Sequence, residues 1–245
     1  MRKFLLAMLA AALPGLTMAA GGGVALEQFR GDLHDQASLQ RGAKLFVNYC
    51  LSCHSAAYMR YSRMGTDLGL SDQQVRDNLL LATDKIGNTM TVAMPVKDAK
   101  RWFGNPPPDL SVTARARGAD WLYTYFKTFY VDSKRPFGVN NVVFPEVGMP
   151  HVLWELEGLK QPIYRTVTEH GESKQVLSGY RMVSKGSMSA DEYDQAATDL
   201  TNFLVYMAEP IALKRQSMGI WVLLFLTIFA VIAYLLKKEY WRDIH

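Results

Sequence analysis

The sequence predicts a mainly α-helical domain outside the cytoplasm, interrupted by long loops and followed by one transmembrane helix near the C-terminus. Three observations predict it. Residues 1–20 have the anatomy of an export signal, an uncharged apolar run fills 216–236, and several stretches between them carry helical periodicity. Composition agrees. Of 245 residues, 49% are hydrophobic and 20% charged, too apolar for a disordered chain and too polar for a multi-span membrane protein. Two cysteines are too few for a disulfide-stapled mini-protein. The formal charge of +4 resides at the ends: between Gly21 and Glu209 stand 20 Lys/Arg against 21 Asp/Glu. The folded part is close to neutral, and no nucleic-acid partner is expected.

At the N-terminus, Arg2 and Lys3 precede an apolar stretch from Phe4 to Leu13, then Pro14-Gly15 and the small residues Ala19 and Ala20. This is a secretory signal peptide over 1–20, and it is excluded from the fold. The Gly21-Gly22-Gly23 run reads as a flexible start to the exported domain. Next, Leu39, Gly42, Ala43, Leu45, Phe46 and Tyr49 recur at helical spacing and deliver Cys50 to a helix end.

There the two cysteines stand together, as Cys50-Leu51-Ser52-Cys53-His54. A close pair in an exported chain has three readings. A redox dithiol needs no histidine after it. A zinc site needs two more ligands at similar spacing, and none follows. Covalent haem attachment uses this C-x-x-C-H pattern. Each thiol adds to one porphyrin vinyl group, and the next residue's imidazole falls under the iron. Export to an oxidising compartment, where such haem is assembled, removes the cytosolic chance matches and favours the third reading.

Beyond the motif, Ser71-Asp72-Gln73-Gln74-Val75 reads as a helix N-cap with acid following. Residues 86–108 form a Gly- and Pro-rich loop. Ser111 to Tyr130 has helical spacing and six aromatics (Trp121, Tyr123, Tyr125, Phe126, Phe129, Tyr130), a core-facing helix that also walls the cofactor. Residues 131–185, with β-prone runs at 163–168 and 175–177, read as long loops with one hairpin. Loops of that length have functional reasons, here to cover the cofactor and face partners. Ser189-Ala190-Asp191-Glu192 opens the last helix of the domain, which runs through Tyr206 towards Pro210. The domain thus covers 21–210.

Residues 211–236 form a linker and anchor, with the span at Met218–Leu236, within the roughly 17–25 residues that cross a bilayer. Thr227 is the one polar residue in mid-span, and Trp221, Tyr240 and Trp241 flank it as interfacial aromatics do. Lys237, Lys238 and Arg242 make 237–245 the cytoplasmic tail of a bacterial-type inner-membrane protein, with the large domain periplasmic. Lys214 and Arg215 on the other side oppose this.

His54 is one axial ligand. The second candidates are His34, His151, His170 and two loop methionines that precede proline, Met94 and Met149. A residue before proline is held extended, which suits a thioether reaching in from a loop, and spacing does not separate the two. Thioether ligation raises the potential of the iron. With both axial positions filled by protein, outer-sphere electron transfer is expected and not bond chemistry. A haem sensor with an open sixth site is the alternative.

The chain resembles the cytochrome c1 family, the haem subunit of the ubiquinol–cytochrome c oxidoreductase (bc1) complex. Four stretches carry the resemblance: Cys-Leu-Ser-Cys-His-Ser (50–55), Pro-Pro-Asp-Leu-Ser with Arg-Ala-Arg (107–117), Gly-Met-Pro (148–150), and Asp199–Pro210 before the anchor. It implies a cytochrome-c-like haem domain with long loop insertions plus one C-terminal transmembrane helix, in a mainly α fold. It implies one covalent haem c and Met149, not Met94, as sixth ligand. Arg117 then meets a propionate, with Pro107 and Pro108 packed on the macrocycle. Trp121 stands where the family has an aromatic hydroxyl, so the contact carries over and the hydroxyl does not. The implied partners are a Rieske iron–sulfur protein, cytochrome b, a soluble or tethered cytochrome c, and the lipid bilayer. A free-standing membrane-anchored cytochrome c feeding a terminal oxidase would need only ~100 residues. For docking, Glu155, Glu157, Glu169, Glu172, Asp191, Glu192 and Asp194 could offer a negative face, though solvated helix surfaces look the same.

Overall fold

A computed structural model describes residues 24–92, 94–169 and 172–244; the export signal expected over 1–20 and the ligand candidate His170 lie outside the described residues. Helix α1 (Gln36–Leu45) begins at Asp35, whose carboxylate accepts the Ser38 N–H at 3.0 Å, and runs without a break into a π-helical turn, Phe46–Cys50. Leu39, Ala43, Phe46, Val47 and Cys50 are buried, the inward face that the periodicity marks. There follow β1 (Ala56–Arg60), α2 (Tyr61–Asp67) and α3 (Asp72–Asn78). The expected cap of α3 is a full capping box: Gln74 N–H donates to Ser71 Oγ, and Ser71 N–H to Gln74 Oε1. Strand β2 (Thr89–Met90) pairs antiparallel with β1.

Three segments differ from the sequence expectation. The loop over 86–108 holds a helix, α4 (Val96–Phe103), whose first turn follows Pro95 and whose end is Gly104 at φ +79°. The single helix over 111–130 is divided into α5 (Thr113–Arg117) and α6 (Ala119–Lys127). Gly118, at φ +91° and with open space where a Cβ would stand, makes the break by backbone freedom alone. Phe129–Val131 then becomes strand β3, paired antiparallel with β4 (Val139–Asn141), where aromatic and β-branched side chains suit a strand better than a helix end.

After the short helix α7 (Trp154–Glu157), the one hairpin expected within 131–185 is present and longer than its β-prone runs: β5 (Gly158–Glu169), which contains 163–168, pairs antiparallel with β6 (Glu172–Lys185), which contains 175–177. Its register slips at Leu159/Lys160 and Ile163/Tyr164. Each slip moves the side chains to the other face, which erases the alternation that would have announced the full length of the strands.

The core forms where α1 crosses α8 (Ala190–Ala208). An ideal Cβ on Gly42 would lie 2.1 Å from the Asp199 carbonyl oxygen and 2.7 Å from Phe203 Cβ. Only glycine permits that approach, and an added methyl would cost about 1–3 kcal/mol in overpacking. Beside it, Arg41 holds the buried Asp199 carboxylate with two bonds, 2.6 and 3.0 Å. Loss of the guanidinium would leave that carboxylate under-satisfied, at a cost of about 1–3 kcal/mol. Phe46 and Phe203 rings meet at 5.5 Å. Ser189 and Glu192 form the predicted capping box of α8, and Tyr193 of that helix donates to the Phe126 carbonyl of α6 at 2.8 Å. Thus α6 and the π-turn are both fixed to one rigid helix.

The last helix, α9 (Ala212–Tyr240), is a continuous 29-residue helix with no separate linker after Ile211. Its mean hydropathy reaches 2.6, and every side chain from Ile220 to Trp241 is exposed. An uncovered apolar cylinder of that size is unstable in water and stable in lipid.

Candidate cofactor site

The π-turn decides where the chemistry sits. Both Cys53 N–H and His54 N–H donate to the Cys50 carbonyl, at 3.0 and 2.8 Å, and this tight turn sends both thiols and the imidazole into one cavity of about 400 Å³. Cys50 is buried, and burial with the neighbouring Cys53 pushes its thiol up to about 12. His54 is buried as well, and burial holds its imidazole below the usual range, in the neutral form. Its Nδ1 donates to the Pro108 carbonyl at 2.7 Å. That bond assigns the tautomer and leaves the Nε2 lone pair open.

Why Pro108 stands there follows from the next residues. Asp109 accepts the N–H groups of Ala57 and Ser111, at 2.9 and 2.8 Å, and Ser111 Oγ accepts the Tyr58 N–H. Leu110 N–H donates to the Ser55 carbonyl at 2.8 Å. The Pro-Pro-Asp-Leu-Ser segment is therefore tied across β1 and orients the histidine ring. Its role goes beyond packing, and the sequence reading had missed that.

The same cavity is lined by Pro107, Pro108, Arg117, Trp121, Phe144 and Met149, with Leu110, Leu122, Phe126 and Val152 among its apolar walls. Among the described residues lining it, Arg117 alone carries a fixed charge; Arg115 does not line it. The Arg117 guanidinium lies 5.1 Å from the Trp121 ring and 5.7 Å from Phe144. Trp121 stacks on Tyr125 at 5.0 Å and 12°. Tyr125 in turn donates its hydroxyl to Met149 Sδ at 3.4 Å, and burial raises its pKa. The sequence had placed Tyr125 only in an aromatic wall; nothing in spacing could single it out.

The other candidate ligands are elsewhere. His34 is exposed and bound to Asp32 at 2.9 Å. His151 is buried outside the cavity lining, bonded to Glu157 at 2.9 Å and stacked on Phe129. Met94 does not line the cavity. Among the described residues no three His, Cys, Asp or Glu side chains are grouped to hold a metal ion by themselves. An apolar cleft with two thiols, a neutral imidazole, a thioether and one cation fits a flat macrocycle with an anionic edge.

The comparisons agree. The model of the Cytochrome C1 family matches residues 28–91 and 82–244. Over its full length the chain is 50% identical to all of a cytochrome c1 from Allochromatium vinosum. It is 47% identical, over the whole chain and 99% of the relative, to a protein of Nitrosomonas europaea named ammonia monooxygenase gamma subunit. At 25% identity, 99% of the chain covers 97% of the cytochrome c1 of Rhodospirillum rubrum. The chain belongs to the cytochrome c1 family, the membrane-anchored electron-transfer subunits of the bc1 complex that carry one covalent haem c.

Proposed function

We propose that Cys50 and Cys53 hold the haem as thioethers and that His54 Nε2 and Met149 Sδ are its axial ligands. The chain then relays electrons from a Rieske iron–sulfur protein to a soluble or tethered cytochrome c, with α9 beside cytochrome b in the bilayer. One observation carries the reading: among the described second-ligand candidates, Met149 alone shares a cavity with the two thiols and His54. Bound haem c supplies a one-electron iron couple, raised in potential by thioether ligation. The chain's own residues do the rest. Pro108 fixes the His54 ring, Arg117 offers its charge to a propionate, Pro107, Pro108 and Trp121 pack against the macrocycle, and the apolar walls exclude water. Residues 21–210 form the periplasmic haem domain, and 237–245 the cytoplasmic tail.

Carbon monoxide tests the closed iron. Added to the dithionite-reduced full chain, it should leave the visible spectrum unchanged. A rapid and complete band shift would reveal an open sixth site and favour a sensor. A finer expectation concerns Tyr125. Its hydroxyl draws electron density from the Met149 sulfur and so favours reduced iron. Tyr125→Phe should lower the midpoint potential on the order of tens of millivolts, since a neutral hydrogen bond is worth only about 0.5–1.5 kcal/mol. Redox titration of the intact complex reads it, and a rise would reverse the sign of the argument.

A further inference from the structure

We propose that the mouth of the cavity is the docking face for an acidic electron-carrier protein, an inference that rests on the relay reading and names the chemistry of its acceptor. Three elements meet there. Phe103, at the end of α4, lines the cavity and packs its ring on Phe137 of the β3–β4 turn at 6.0 Å. Phe144 and Arg117 line the same opening. Around these aromatics the charges are mostly positive. On α4, Lys97 is followed by Lys100 and Arg101 at i+3 and i+4, one exposed stripe leading to Phe103. The turn adds Lys134 and Arg135. Against them stand Asp98, Asp132 and Glu146; Asp132 accepts the Lys134 N–H and an Asn140 amide N–H, and Glu146 lies 3.9 Å from Arg135. Cations remain in excess.

Apolar groups share this surface. Trp102 is 54% exposed, Phe144 42% and Phe137 40%. Exposed aromatics within a charged rim are the anatomy of a protein interface. Of the carboxylates that could have formed a negative face, Glu157 is engaged inside the fold, and Asp194 and Glu192 are engaged at its surface. Glu157 bonds His151 and Lys160, Asp194 pairs with Lys127 and Tyr123, and Glu192 caps α8. A carrier that approaches the opening is therefore steered by negative charge of its own.

The test uses the detergent-solubilised complex, driven by quinol, with two protein acceptors as probes: acidic plastocyanin and a basic mitochondrial-type cytochrome c. At low ionic strength plastocyanin should be reduced at least about tenfold faster, and salt should slow it, because steering by exposed charge is screened within a Debye length. The exposed pair Lys100→Glu and Arg101→Glu should slow plastocyanin reduction about tenfold at low salt and leave quinol-driven reduction of the chain's own haem unchanged. Faster reduction of the basic probe, or rates with both probes that do not respond to salt, would overturn the docking face while the relay stands. Failure of quinol to reduce the haem in the parent complex would overturn the relay itself, and this proposal with it.

Discussion

Met149→Leu should lower the haem midpoint potential by on the order of 0.1 V or more, a fraction of the roughly 0.8 V over which axial ligands set haem potentials. Leucine keeps the volume and apolar character of the site, so the fold survives, and volume-conserving swaps usually cost less than about 1.5 kcal/mol. What disappears is the sulfur. The ligand partner of the Tyr125 hydroxyl goes with it, which leaves a buried donor unpaired and adds a modest loss of stability. The iron should then bind carbon monoxide in the reduced state. Met94→Leu is the control, since Met94 does not line the cavity, and its potential should not move. If Met94→Leu produced the drop and Met149→Leu did not, the ligand would lie in the earlier loop.

The second large effect is on attachment. The double variant Cys50→Ala/Cys53→Ala should yield a chain whose haem is removed by acidic acetone, because neither edge of the macrocycle retains a thioether. Pyridine-haemochrome analysis of the denatured protein measures this directly. The two positions differ in one useful way. Cys50 is buried in the core beside Phe46, whereas Cys53 is half-buried at the cavity wall. Cys53→Ala alone thus separates loss of a thioether from loss of packing: it should keep the fold and hold haem through one link. Stoichiometric acid-stable haem in the double variant would refute covalent attachment through this motif.

Much of the fold was legible because local rules and tertiary demands agreed. Ser71 and Ser189 announce helices through capping chemistry that operates within four residues. The apolar face of α1 and the uncharged run of α9 are periodic or continuous signals that need no knowledge of neighbours. Elsewhere the decisive feature was a single backbone event. Gly118 divides one aromatic helix into two, and its left-handed φ is invisible in a pattern that otherwise stays helical. The β5–β6 hairpin was legible in its β-prone runs 163–168 and 175–177, and two register slips hid only its full length. The ligand question shows a third case: spacing left two Met-Pro loops alike, the family resemblance favoured Met149, and the fold places Met149, and not Met94, in the cavity with His54.

By itself, the sequence determined the chemistry available to this protein: two thiols and an imidazole at fixed spacing, and an apolar anchor long enough for a bilayer. These are properties of contiguous residues. Tertiary structure alone decided which tautomer His54 adopts, through a carbonyl 54 residues away, and that Tyr125 donates to Met149. It also decided that Arg117 lines the cavity together with Trp121, Phe144 and Phe103. Each of these joins segments distant in the chain, and such meetings are set by how helices pack around Gly42 and Phe203, not by any local preference.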